Sequence, residues 1–423
     1  GHMLRHLRIA CYSCLYFKGC RMRNRRGLLQ LEGLTERIVP AVSIRAVDGD
    51  LLITGIANTN GGNPTLWVTV SADNQVDIRD GGSNASTGGV NRGTYAVTGD
   101  LIFNLSNRND ILTIDFNGKY TLDGSVVANL NNGNDTINFT NLGQSDATIL
   151  GGITVDGGNG SDKFTINNRS GSADTTMDVG GAITFNGGAG VDTFEANKTV
   201  TAATKVAELA IGNGLILTRV NKVDLGTTTA TGTAPVTING NLTFNASVDK
   251  LIPNTVNFGS NTSNAVTLAG ALALTGGQGA DTIVWNNLNV IDVIPAEDTV
   301  LEVNVNLGLG LNSLSLTDTQ IGISGTDADF SYTGGTGDDT IDLTNGGNSV
   351  SGSVTITLGK GSNLYQDSDT DYDKNVSISG GDNSDTVTLD TATINGLLSV
   401  SLGRGSNGLD LNTGSEEIGR AHV

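Results

Sequence analysis

From residue 101 onward one short unit recurs, and its period limits what the chain can fold into. The fullest copy is Ile153-Thr154-Val155-Asp156-Gly157-Gly158-Asn159-Gly160-Ser161-Asp162-Lys163-Phe164-Thr165-Ile166. In general form it is h-x-h-x-[G/L]-G-x-G-x-[D/N]-x-h-x-h, with h apolar. Copies close their turns at Asp110, Asp135, Asp162, Asp192, Asp281, Asn312, Asp339, Asn363, Asp385 and Asn407. The spacings are 25, 27, 30, 89, 31, 27, 24, 22 and 22 residues. Inside the long interval the alternation survives (Ile238, Leu242, Phe244) but the acidic turn is lost, so residues 193–280 read as degenerate coils.

Each arm has period two, as in Ile153 and Val155 before the turn and Phe164 and Ile166 after it. Ile283 and Trp285, Ile341 and Leu343, and Val387 and Leu389 repeat the second arm, which places Trp285 inward. Alternation over five residues bounded by Gly marks half-buried strands. One such unit cannot bury its apolar face alone. Stacking each copy on the next, about 4.8 Å away, pairs every strand and makes a continuous core. The expected fold is therefore all-β: an elongated parallel β-solenoid (β-helix), one Gly-rich turn per 22–31-residue coil, with roughly 11–14 coils between residues 47 and 415. An array of small β-sandwiches would need periods nearer 100 residues.

Composition agrees with a thin aliphatic core. Of 423 residues 59 are Gly, 4% are aromatic and 16% charged, against roughly 25% charged in ordinary domains. His2, His6 and His422 are the only histidines and Cys11, Cys14 and Cys20 the only cysteines. Between residues 21 and 421 that excludes His-based triads, thiol nucleophiles, structural zinc and disulfide frameworks. Residues 1–46 carry nine Lys/Arg against Glu32 and Glu36, whereas the remainder holds 15 basic and 41 acidic residues. A body this acidic repels phosphate backbones, so nucleic acid is excluded as a partner and cations are favoured. No stretch approaches the ~20 apolar residues of a transmembrane span.

The ends divide the chain further. Residues 1–46 read as a basic leader, of which 1–21 precede a candidate start at Met22. Residues 47–100 read as an N-terminal cap with the first coils, and 101–415 as the repeats. Residues 416–423, Glu416 to Val423, end in Glu-Ile-Gly-Arg-Ala-His-Val, which reads as the translation of a common sequencing adapter. From Arg23 to Ala41 the chain runs Arg-Asn-Arg-Arg-Gly-Leu-Leu-Gln-Leu-Glu-Gly-Leu-Thr-Glu-Arg-Ile-Val-Pro-Ala. This resembles the N-terminal sorting segment of planctomycete surface and secreted proteins, with Thr35-Glu36 in place of the usual Glu-Asp. The resemblance covers about twenty residues and implies an extracellular or cell-surface location.

Gly157 to Thr165, Gly276 to Val284 and Gly334 to Asp342 resemble the nonapeptide Gly-Gly-x-Gly-x-Asp-x-h-x of RTX β-roll proteins, and Gly187 to Glu195 does so more loosely. That resemblance implies calcium (Ca2+) ligation by Asp162, Asp192, Asp281 and Asp339, with turn carbonyls completing the oxygen shell. The same turn position in other copies adds Asp110, Asp135 and Asp385. The chain departs from the RTX pattern in having one motif per coil rather than one every nine residues. An Asp in that place is also an ordinary turn-former. The run Asp110, Asp135, Asp162, Asp192 stacks acid on acid, at a repulsion of roughly 3 kcal/mol per pair for an effective dielectric of 20. The later run alternates Asp with Asn, so amides can donate to carboxylates without a metal.

Parallel β-helices include polysaccharide lyases and hydrolases. Here the only adjacent turn carboxylates are Asp338 and Asp339, while Lys360 and Arg404 occupy variable turn positions. Together these features lead to an expected non-catalytic, adhesin-like surface or secreted repeat protein, with calcium and cell-surface polysaccharide or protein as partners. The alternative is a carbohydrate-binding or carbohydrate-active β-helix.

Overall fold

The computed structural model describes residues 42–55, 63–81, 89–143, 145–169, 173–198, 205–227, 233–246, 252–260, 264–291, 300–322, 327–412 and 418–422. The cysteines and the sorting-like segment of residues 23–41 lie outside the described residues. So do residues 416 and 417 and Val423 at the other end.

The repeat folds as a parallel β-solenoid with three strands per coil. One coil consists of Ala147–Ile149, Ile153–Asp156 and Lys163–Asn167. Each strand pairs in parallel with its counterpart one coil earlier and one coil later. Ile153 thus aligns with Val126 and Ile183, and Lys163 aligns with Thr136 and Thr193. The two arms of the sequence unit are therefore not a hairpin. The Gly-rich turn carries the chain from the second ladder into the third, across the corner of the coil. The first ladder is short-stranded, down to Gln320–Ile321 and Asp371–Tyr372.

Alternation sets what points inward. Ile149, Ile153, Val155, Phe164 and Ile166 are sealed in the core. Aromatics stack along it: Phe164 meets Phe194 at 5.1 Å edge-on, and Trp285 lies parallel to Phe258 at 6.1 Å. Trp285 is a core residue, as its place in the alternation predicts.

The ladders continue through residues 193–280 without a break. Thr193–Ala196 pairs with Lys222–Leu225, that strand with Thr255–Phe258, and that in turn with Thr282–Asn286. At the N-terminal end the pairing turns antiparallel. Ser43–Val47 folds onto Asp50–Thr54, and Thr65–Ala72, Gln75–Asp80 and Val90–Ala96 form a meander at the end of the third ladder. Arg92 ties that meander to the buried Asp80 at 2.5 Å. Ile418–His422 pairs in parallel with Thr393–Ser401. Among the described residues no helix is long and apolar enough to cross a membrane.

Candidate functional site

The aspartates that close the turns face inward, not outward. Asp110, Asp135, Asp162, Asp192, Asp281, Asp339 and Asp385 are at most 1% exposed. They form one file along the corner between the second and third ladders. Asn221 and Asn254 continue the file through the interval where sequence showed no turn. Those two residues divide the long gap into separations of 29, 33 and 27 residues.

A common hydrogen bond links most of the file. The backbone N–H of one member donates to the side-chain oxygen Oδ1 of the next coil's member. The distances are 2.6 Å for Asp110 to Asp135, 2.8 Å for Asp135 to Asp162, 2.7 Å for Asp162 to Asp192 and 3.0 Å for Asp192 to Asn221. The same bond runs from Asp281 to Asn312, Asn312 to Asp339, Asp339 to Asn363 and Asp385 to Asn407. Corner N–H groups have no strand partner, so these side chains stand where a ladder bond would otherwise be missing. Two amides that precede an acid add cross-links: Asn254 Nδ2 donates to Asp281 Oδ1 at 2.6 Å and Asn363 Nδ2 to Asp385 Oδ1 at 2.8 Å.

The second side-chain atom separates two kinds of turn. At Asp281 and Asp385, Oδ2 accepts the N–H four residues earlier, from Gly277 at 3.1 Å and Gly381 at 3.0 Å. Asp110 takes the same bond from Ser106 at 2.7 Å. The carboxyl needs room there, and a Cβ on Gly276 or Gly380 would lie 2.1 Å from that oxygen. Gly stands at this position before Asp162, Asp192, Asp281, Asp339 and Asp385, whereas Leu105 and Leu130 precede Asp110 and Asp135, and Leu307, Leu358 and Leu402 precede Asn turns.

In the Asn turns the residues four and two positions earlier are left-handed, as at Gly359 (φ 80°) and Gly361 (φ 136°) before Asn363. There the amide donates to carbonyls at Asn363 and Asn407, while Asn312 Nδ2 is buried without a partner. Asn363 Nδ2 reaches Gly361 O at 3.2 Å, and Asn407 Nδ2 reaches Leu402 O at 3.1 Å and Gly403 O at 3.3 Å.

Asp135, Asp162 and Asp192 break this correspondence. Their turns are left-handed at the same two positions, through Asn131 and Gly133, Gly158 and Gly160, and Gly188 and Gly190. They therefore place a carboxyl in the geometry that later coils give to an amide. Among the described residues Oδ2 of all three is buried without a hydrogen-bond partner. Burial pushes the carboxyls of Asp135 and Asp162 up to about 7, and a neighbouring carboxylate adds to each. Burial likewise takes Asp192 up to about 6. Asp110 and Asp281 are also raised by burial, against the hydrogen bonds they accept, and Asp339 reaches about 6.

A cation at these turns would have Oδ2 and turn carbonyls for ligands, because Oδ1 already holds the next N–H. Among the described residues no group of three or more His, Cys, Asp or Glu side chains converges as a metal cage. Asp338 and Asp339, adjacent in sequence, face opposite ways. Asp339 is buried in the file, while Asp338 is exposed and accepts the Ser362 N–H at 2.7 Å.

Two further clusters were not visible in the sequence. On the outer face of the third ladder, Glu195 and Asp224 are nearly buried. Lys163 and Lys198 lie 2.8 Å from Glu195, and Lys198 lies 2.5 Å from Asp224. Burial alone would raise both carboxyls, but the lysines and Asn257 outweigh it and hold them below their ordinary value. Inside the core, Asp367 replaces the leucines of neighbouring coils, Leu343 and Leu389. Tyr372 donates to it at 2.7 Å and the Tyr365 hydroxyl lies 2.8 Å from that of Tyr372. Burial pushes Asp367 up to about 6. Register between coils brings the Glu195–Asp224 cluster together, since Lys163 and Asp224 lie 61 residues apart, whereas Tyr365, Asp367 and Tyr372 lie within one coil.

Comparison of the chain with protein-family models, with curated proteins and with solved structures found no match.

Proposed function

We propose that this chain is a non-catalytic structural repeat protein of the cell surface or extracellular space, with an adhesin-like role. The observation that carries the reading is the use made of the acidic turns. Their carboxyls, the groups best suited to chemistry in a body without His or Cys, are spent on corner hydrogen bonds inside the solenoid. The adjacent pair within the Gly-rich turns, Asp338 and Asp339, is split between outer surface and interior, so the two cannot flank one scissile bond as a glycosidase pair must. The basic sorting-like leader supports a surface location. The test is incubation with pectate, glucan and xylan, following reducing ends and unsaturated products. Intact polymer agrees with the proposal. Chain shortening lost in the Asp338→Asn variant overturns it in favour of a carbohydrate-active β-helix.

Calcium binding is a second reading, favoured by the Oδ2 atoms without a donor in three successive coils, at Asp135, Asp162 and Asp192, with Asp339 Oδ2 a fourth further along the file. Thermal unfolding at pH 8, first with a chelator and then across a calcium titration, tests it. A midpoint that climbs with calcium in the parent chain, and not when all three are Asn, agrees. An unchanged midpoint removes calcium from the file.

A further inference from the structure

A groove of about 300 Å³ crosses the outer face of the third ladder at its N-terminal coils. Its floor is a register row: Trp67 aligns with Thr113, Thr113 with Asn138, and Asn138 with Thr165. A second row beside it carries Thr140 and Asn167, also aligned. Leu142, 42% exposed, and Arg169 complete the lining. We propose that this groove is a docking site for a neutral polysaccharide, with its sugar rings laid along the solenoid axis from Trp67 towards Thr165. The inference goes beyond the scaffold reading and does not depend on it, because a scaffold needs no groove ligand.

Three features select that class of ligand. First, the lining pairs apolar surface with neutral hydrogen-bonding groups. A part-exposed indole and Leu142 offer apolar contact to the C–H face of a sugar, and the part-exposed Asn138, Thr140 and Asn167 lie between them, above the buried Thr113 and Thr165. Second, these polar groups are pre-positioned by one another. Thr165 Oγ1 donates to Asn138 Oδ1 at 2.6 Å and Thr140 Oγ1 to Asp115 Oδ1 at 2.9 Å. Side chains already held in place lose little freedom on binding. Third, the charge is balanced locally. The guanidinium of Arg169 acts on the buried carboxyl of Asp115 beneath the groove, and the chain as a whole carries −19. An anionic polymer would meet a repulsive field with no spare cation in the lining. Strand rows spaced at about 4.8 Å give the groove a repeat suited to a chain of rings rather than to one small molecule.

The two tryptophans make the test direct. Trp285 is sealed in the core, so a ligand-induced change in emission reports on Trp67. Fluorescence titrations with oligosaccharides of glucan, xylan, mannan and chitin would be run beside gel retardation in the parent polymers, with pectate and alginate as acidic controls. The expected result is a shift in emission and retardation by at least one neutral polymer, and none by the acidic pair. Trp67→Ala should weaken retardation at least about tenfold. Asn138→Ala, which leaves the indole in place as a reporter, should weaken the emission change while circular dichroism stays that of the parent chain. The proposal is overturned if no neutral polymer acts, if acidic polymers act as well as neutral ones, or if retardation survives both substitutions.

Discussion

The coils closing at Asp135, Asp162 and Asp192 and those closing at Asp281 through Asn407 have the same fold, the same register and the same corner hydrogen bond. They differ in how side chain and turn are matched. In the later coils the left-handed turn holds Asn and the other turn holds Asp, so a donor meets carbonyls at Asn363 and Asn407 and an acceptor meets an N–H at Asp281 and Asp385, while Asn312 Nδ2 and Asp339 Oδ2 lack partners. In the earlier coils three left-handed turns in succession hold Asp, and three buried oxygens have no donor. Hydrogen-bond polarity at the corner, rather than the acidity of the motif, separates a neutral file from one under electrostatic load.

The sharpest way to break that comparison is to give the earlier turns the residue the later ones use. In the triple variant Asp135→Asn, Asp162→Asn, Asp192→Asn, amides replace carboxyls that burial has pushed to about 7, 7 and 6. A folded-state pKa above the unfolded value of about 3.9 means the stabilising proton is fully bound in both states only below about pH 4. That contribution is lost as pH rises through the folded values, up to about 1.4 kcal/mol per pH unit for each group. Denaturant unfolding should therefore show the parent chain weakening between about pH 4 and 7, with the triple variant flatter. At pH 8 the variant should be the more stable by on the order of 2–5 kcal/mol. Hydrogen exchange localises the effect: protection of Thr136–Thr140 and Lys163–Asn167 should fall most. A smaller fall is expected near Asp339 and Asp367, both pushed to about 6. Equal pH dependence in parent and triple variant would end this account of the file.

The same substitution in the other turn should act in the opposite sense. Asp385→Asn places either an amide N–H₂ against the Gly381 N–H or no acceptor for the Asn363 amide. An unsatisfied buried donor costs about 1–3 kcal/mol, so this variant should unfold at lower denaturant at pH 8. Stabilisation at Asp385 as well would mean that charge removal alone decides, and the turn distinction would fall.

Much of this was legible in the sequence because it is periodic. Alternation gave both arms, single coils followed from the 22–31-residue period, and Trp285 was placed inward by its step from Ile283. The third strand was not legible: two residues, as in Asp371–Tyr372, show no period. Nor was the direction of the turn carboxyls, since a corner residue belongs to neither arm's alternation. That direction changes how the acidic file reads, from an outer edge of carboxylates to an inner row of hydrogen-bond acceptors. The alternation of Asp with Asn was visible as a pattern, and one of its consequences, amide donation to the next carboxylate, is present at Asn363 but not at Asn312; Asn254, outside that pattern, makes the same bond. Its correlation with left-handed turns needed backbone angles. The groove and the Glu195–Asp224 cluster needed register between coils.

Asn221 escaped notice because its turn lacks the Gly-x-Gly signature, and that omission supplies the mildest test. Two residues before Asn221 the backbone is left-handed, as it is before Asp162 at Gly160 and before Asn363 at Gly361, yet the residue there is Arg219 (φ 54°). A side chain in that conformation costs roughly 1–2 kcal/mol, while Gly loses about 0.5–1 kcal/mol more backbone entropy on folding. Arg219 is exposed, so its replacement removes no core contact. Arg219→Gly should accordingly stabilise the chain by about 0.5–1 kcal/mol, read as a small rise in denaturant midpoint. Gly160→Ala, at the same position of an earlier coil, should lower the midpoint by more than Arg219→Gly raises it. Its φ is 133°, and a Cβ there would lie 1.5 Å from the Gly133 carbonyl oxygen. If Arg219→Gly instead destabilises, Arg219 is held by contacts that outweigh its backbone strain. The central coils would then be a differently built corner rather than a worn copy of the same one.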